Sequence, residues 1–130
     1  MKISHNPPKL YWLVRLFFPD YDFNEIHAFA FGDTIYTKDN PLADYHIVHE
    51  RVHLEQMKYS KLYAIWHFLK FWFSTKFRYQ TELEAYREQY RFMREKGYSI
   101  AGNDLANALS DKLIYGNVAS YEQAYLDITA

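Results

Sequence analysis

The stretch Leu42-Ala43-Asp44-Tyr45-His46-Ile47-Val48-His49-Glu50-Arg51-Val52-His53-Leu54-Glu55-Gln56-Met57-Lys58-Tyr59-Ser60 decides how this chain is read. Asn40-Pro41 breaks the chain just before it, and no Gly or Pro interrupts it. The expectation is a helix over Leu42–Ser60. On a helix, residues four apart lie about 40° apart on one face. His49 and His53 can therefore grip a single ion from adjacent turns. Glu50 lies about 100° round from His49. That places it beside the ion rather than on it, where it can take a proton from a water. Arg51, Glu55 and Lys58 cluster within about 60° and mark a narrow solvent face. His49, His53, Gln56 and Ser60 fall on the opposite side, joined by His46. Polar groups on a buried face need partners, and a bound metal with the groups that orient its ligands would supply them. At this chain's own His and Glu frequencies the pattern H-E-x-x-H arises by chance in roughly one chain in sixty.

The rest of the chain constrains that reading. There are 130 residues and no cysteine, so thiolate zinc and iron–sulfur sites, disulfide scaffolds and thiol nucleophiles are excluded. A transition metal here must be held by His, Asp or Glu. The length suits one domain over residues 1–130. Thirteen Tyr, ten Phe and three Trp make the chain 20% aromatic, enough for a sizeable core. The net charge of −1 offers no overall electrostatic case for nucleic acid. Residues 51–96 nevertheless carry ten basic and five acidic groups. Solvated helix faces are the plain account of that excess, and anionic lipid or nucleic acid the sharper one.

Outward from the helix, Ile26 to Phe31 and Thr34 to Thr37 flank Gly32-Asp33 and read as a β-hairpin. Residues 1–9 read as a polar lead. Leu10 to Phe18 is apolar, with its type open. Downstream, a second helix is expected over Lys61–Phe73 and a connection over Ser74–Arg78. A third helix is expected over Tyr79–Lys96, stopped by Gly97. Shorter helices are expected over Asn103–Ile114 and Ser120–Asp127. The fold class is α+β, mostly helical, with a small hairpin before the H-E-x-x-H helix.

A catalytic zinc ordinarily has three protein ligands and an open position, so a third carboxylate or imidazole is needed. Thr81-Glu82-Leu83-Glu84-Ala85-Tyr86 offers two candidates. Tyr79, Leu83, Tyr86, Tyr90 and Met93 form an apolar stripe. Glu82 lies about 60° from its centre and Glu84 about 140°, beside Arg87, Glu88, Arg91 and Glu95. Glu82 therefore points to the core and is the expected third ligand. A carboxylate favoured by the helix dipole is the alternative account.

His49-Glu50-x-x-His53 followed by Glu82-x-x-Ala85-Tyr86 resembles the gluzincin group of zinc metallopeptidases. It is most similar to minimal members, the minigluzincins and small phage-type peptidases. The resemblance covers roughly residues 29–92, about half the chain. It implies a zincin-like domain with one Zn2+ held by His49, His53 and Glu82. It also implies Glu50 as general base and hydrolysis of a peptide or protein substrate. Several gluzincins place Asp four residues after the ligand Glu, where it orients a ligand histidine. Here that place is Tyr86, which either takes that role or serves the transition state. His46 and His67 are further candidates for the electrophile facing the oxyanion. His67 also fits simple packing in an aromatic helix. Thr34–Thr37 could be an edge strand that pairs with an extended substrate.

Two other classes stay open. One is a domain in which the metal only stabilises the fold, or in which activity has been lost. Against it, Glu50 is retained, and a structural site would need a fourth protein ligand. The other is peripheral membrane contact through residues 62–77, with Lys61, Lys70, Lys76 and Arg78 around Trp66 and Trp72. The apolar run Leu62–Phe73 is shorter than the about twenty residues a bilayer span needs. No apolar signal segment follows Met1. The default expectation for location is therefore cytoplasmic or virion-associated.

Overall fold

The computed structural model describes residues 1–9, 11–17, 19, 27–98, 101–111 and 117–130. The elements run β1 (Lys2–Ser4), α1 (Tyr11–Phe17), β2 (Phe29–Phe31), β3 (Thr34–Tyr36), α2 (Asp44–Met57), α3 (Lys61–Phe73), α4 (Thr75–Glu95), α5 (Ala101–Leu109) and α6 (Tyr121–Thr129). The architecture is mostly helical with a small three-stranded sheet, which is the expected α+β class.

The hairpin forms where expected. Phe31 pairs with Thr34 across Gly32-Asp33, and Gly32 takes a φ of 66° that a side chain would resist. The strand order is β1-β3-β2, with β1 parallel to β3. Two expectations change here. Residues 2–4 of the supposed polar lead are a strand, and β3 is central. Thr34–Tyr36 is therefore not an edge open to a substrate. The segment Lys2-Ile3-Ser4 lacks a buried face of its own. It is held by its partner, through Lys2 N–H to Asp33 O at 2.9 Å and Thr37 N–H to Ser4 O at 2.9 Å. The apolar segment of open type is helical over Tyr11–Phe17, while Leu10, Phe18 and Ile26 lie outside the described residues.

The solvent face of α2 is as expected, with Arg51, Glu55 and Lys58 exposed and His49, Glu50, His53 and Met57 buried. Ser60 is not part of that buried face. It lies beyond the helix, exposed, and its hydroxyl accepts the Tyr63 N–H to cap α3. α3 has the expected limits. The expected connection over Ser74–Arg78 is instead the first turn of α4. Ser74 alone separates the two helices, ending α3 and accepting the Phe77 N–H at 3.2 Å as the cap of α4. One serine with extended backbone is enough to restart a helix. At the far end, Gly97 adopts φ 87°, letting Gly97 N–H reach Arg94 O and Tyr98 N–H reach Met93 O, which closes α4.

Two clusters hold these elements. α4, α5 and α6 meet over Tyr79, Met93, Leu105, Ala106, Leu109, Ala124 and Ile128. Each buried Leu or Ile there contributes about 1.5–3 kcal/mol. Tyr79 Oη donates to Asp127 at 2.6 Å and Arg87 Nε donates to Asp127 O at 2.7 Å, which pins α6 to α4. The second cluster, Ala30, Met57 and Ala64 with Phe31 and Leu54, joins β2, α2 and α3. α5 begins and ends earlier than expected, and residues 112–116 are outside the described set.

Candidate metal centre

α2 and α4 pack against each other along their buried faces. The buried residues of α4 include Arg78, Glu82, Ala85, Gln89 and Met93. The tyrosine stripe packs as expected, with Tyr79 and Met93 buried and Leu83, Tyr86 and Tyr90 against them, and Glu82 lies on its flank. Ala85 is fully buried, whereas Tyr86 and Tyr90 are half-buried. A small residue at the crossing lets the two backbones approach, so side chains from α2 reach Glu82. His49, Glu82 and His53 are exposed by only 7%, 7% and 8%. Glu84 is exposed.

The three expected ligands converge. His49 Nε2 lies 3.0 Å from Glu82 Oε2, His53 Nε2 lies 3.4 Å from Glu82 Oε1, and the two Nε2 atoms are 3.3 Å apart. One ligand atom from each residue falls within 4.8 Å of the others, close enough to hold a metal ion.

The protons around the trio decide its chemistry. His49 Nδ1 lies 3.0 Å from Gln89 Oε1, and His53 Nδ1 lies 2.9 Å from Gln56 Oε1. An amide oxygen only accepts, so both Nδ1 atoms carry the proton and donate it. With a metal bound, each imidazole would present its Nε2 lone pair to the ion. Gln56 is itself held in that orientation, because its NH2 group donates to Thr81 O at 3.2 Å and to the exposed Glu84 carboxylate. Glu84 thus serves the site indirectly, by fixing the amide that fixes His53. Two lone pairs and a carboxylate pointing at one buried spot repel unless a cation lies between them. Glu50 is buried beside them. Burial pushes its pKa up, against the pull of His49 and His53, and the Ala30 backbone N–H donates to its carboxylate.

Without a metal, a proton on His53 takes the cation's place. Burial alone would depress His53, but the Glu82 charge and hydrogen bond, with Glu50 and Gln56, outweigh it and hold the imidazole up at about 9. Burial likewise opposes ionisation of Glu82, yet the two histidines keep its carboxyl well below the usual range.

The hydrogen bond that orients His49 comes from Gln89, not from the residue the sequence offered for that role, Tyr86. Tyr86 packs edge-to-face on the His49 ring, centroids 4.5 Å apart. Gln89 was not singled out beforehand. It lies seven residues after Glu82, within about 20° of it on the helix, and that shared face was the available signal. Gln89→Leu and Gln56→Leu are expected to lower metal affinity by about 10–100-fold, read by competition with a chelating dye.

His46 and His67 are not among the converging trio. His46 stacks on His27 at 4.5 Å, and His27 pairs with Asp39 at 2.9 Å. Burial, then the neighbouring His27 and His49, push His46 down to about 4. His67 is buried between Tyr63 and Phe77, and its Nε2 has no hydrogen-bond partner among the described residues. These ring contacts agree with the packing account of His67. Burial, with His53 and Lys70 adding to it, pushes His67 down to about 4 from 6.5. Its folded pKa is depressed, so its effect on stability is absent at pH 7. Below about 6.5 the unfolded chain takes up a proton that the folded one refuses, and stability falls as pH drops towards 4. His67→Phe is expected to lose less stability than wild type between about pH 6.5 and 4.5, measured by urea midpoints.

Compared with protein-family models, with curated proteins and with solved structures, the chain matches none of them. The fold and site therefore define a class by chemistry alone: a helical α+β protein with a buried His–His–Glu group able to hold a metal ion.

Proposed function

We propose that this protein is a zinc-dependent peptidase with a gluzincin-like centre. His49, His53 and Glu82 would hold the metal, and Glu50 would act as general base. The observation that carries the reading is the convergence of two Nε2 atoms on one buried carboxylate, each imidazole held at Nδ1 by a glutamine. Their separations of 3.0, 3.3 and 3.4 Å match the edges of a zinc tetrahedron, which are about 3.3 Å for bonds of about 2.0–2.1 Å. A donor set of two imidazoles and one carboxylate suits zinc, and three protein ligands leave one position for chemistry.

Zinc, when bound there, supplies Lewis acidity and lowers the pKa of water. Glu50 takes the water proton as the peptide carbonyl is attacked and returns it to the leaving amine. The Ala30 N–H and the buried walls hold that carboxylate in place. Tyr86, beside His49, is our candidate for hydrogen bonding to the oxyanion.

The strand next to the site is β2, not β3. Phe29 and Phe31 pair with β3, so Ala30 turns its N–H and C=O to the opposite side, towards Glu50. An extended peptide lying along that side would hydrogen-bond to the Ala30 C=O, since its N–H is taken by Glu50. The test is cleavage of a mixed peptide library by zinc-loaded protein. Chelation is expected to stop it and added zinc to restore it. A zinc-loaded protein that leaves the library intact would overturn the peptidase assignment.

A further inference from the structure

α3 is apolar on both sides, and the protein core uses only one. Ala64, His67 and Phe68 are buried, and the half-buried Phe71 shares their side. Phe68 packs on Phe29 and Phe31, and Phe71 faces His53. On the opposite face, Leu62, Ile65, Trp66, Leu69 and Phe73 fall within an arc of about 100°. Leu62 is 80% exposed and Phe73 64%, with Trp66 at 49%. No described helix is long and apolar enough to cross a membrane, and α3 is only about 20 Å long.

Charge says what covers this stripe. From residue 56 to 81 there is no acidic side chain, while Lys58, Lys61, Lys70, Lys76 and Arg78 fall in the same span. Lys61 and Lys70 lie on either flank of the stripe, about 80–100° from its centre. Lys70 Nζ sits over the Trp66 and Phe77 rings at 4.9 and 4.6 Å. A second copy of the chain docking on this face about a two-fold axis would bring one lysine-flanked stripe against another. A bilayer surface with anionic headgroups instead offers hydrocarbon for the stripe and negative charge for its flanks.

We propose that the outer face of α3 docks this protein on anionic lipid surfaces, with Leu62, Ile65, Trp66, Leu69 and Phe73 entering the headgroup boundary. The inner face of the same helix walls the metal centre, so docking would set that centre beside the membrane. The docking itself does not depend on the zinc reading.

The test is flotation of the full chain with vesicles of phosphatidylcholine alone, or with about one-third phosphatidylglycerol. Binding is expected on the anionic vesicles, falling steeply at about 0.5 M salt. Leu62→Glu with Phe73→Ser should weaken it by about tenfold or more. Leu126→Glu, at an equally exposed apolar site on α6, should bind as wild type. All three residues are exposed, so circular dichroism and thermal midpoints are expected to be unchanged. Equal binding to neutral vesicles would overturn the proposal. So would no binding at all, or a solution dimer that Leu62→Glu dissociates.

Discussion

Glu82→Gln is expected to lower zinc affinity by at least about a hundredfold, whereas Glu84→Gln costs no more than about tenfold. Glu82 supplies the only negative charge among the three converging groups, with an oxygen 3.0 Å from His49 Nε2. Glutamine keeps the shape but loses the charge, and an amide oxygen is a weak donor to zinc. Glu84 touches the site only through Gln56, and a glutamine at that position can still accept the same hydrogen bond. Thermal shift gives a second reading. A ligand at about 100 times its Kd stabilises the folded state by about 2.7 kcal/mol. Added zinc should therefore raise the wild-type and Glu84→Gln midpoints and leave Glu82→Gln nearly unmoved. Zinc binding that depends on Glu84 and not on Glu82 would sink the ligand assignment.

Glu50→Gln should reduce peptide hydrolysis by about 10²–10⁴-fold while zinc remains bound, because a positioned general base contributes on that scale. Glu50 is adjacent in sequence to His49 but is directed towards Ala30, and the amide retains an oxygen for that N–H. Folding and metal content are thus expected to survive the change. Unchanged cleavage by Glu50→Gln at full zinc occupancy would show that another group takes the proton. A zinc-loaded wild type without hydrolysis would instead favour a structural metal.

Much of the site could be read from residue spacing, because a helix has one period and that period puts His49 and His53 on one face. The same arithmetic selected Glu82 over Glu84. The tyrosine stripe of α4 packs in the core with α5 and α6 as its spacing indicated. The same helix buries a second side through Glu82, Ala85 and Gln89, which a stripe of bulky residues does not mark, because a close helix crossing needs a small residue. The start of α4 was missed because one capping serine did the work of the expected linker. β1 was missed because a three-residue strand draws its stability from its neighbour.

The amino-acid sequence alone determined the hairpin turn, the span of α3, the solvent face of α2 and the residue types able to hold a metal. These depend on local dihedral preferences and on a periodicity that each segment carries within itself. Only the tertiary structure decided that β3 is central and that Ala30 faces Glu50. It also decided that Gln56 and Gln89 set the protons on His53 and His49, and that one apolar face of α3 stays uncovered. These depend on which surfaces meet across about 20 to 40 residues of chain, as Ala30 meets Glu50, His49 meets Gln89, and Gln56, beside His53 on its own helix, is oriented by Thr81. No local pattern encodes such a pairing.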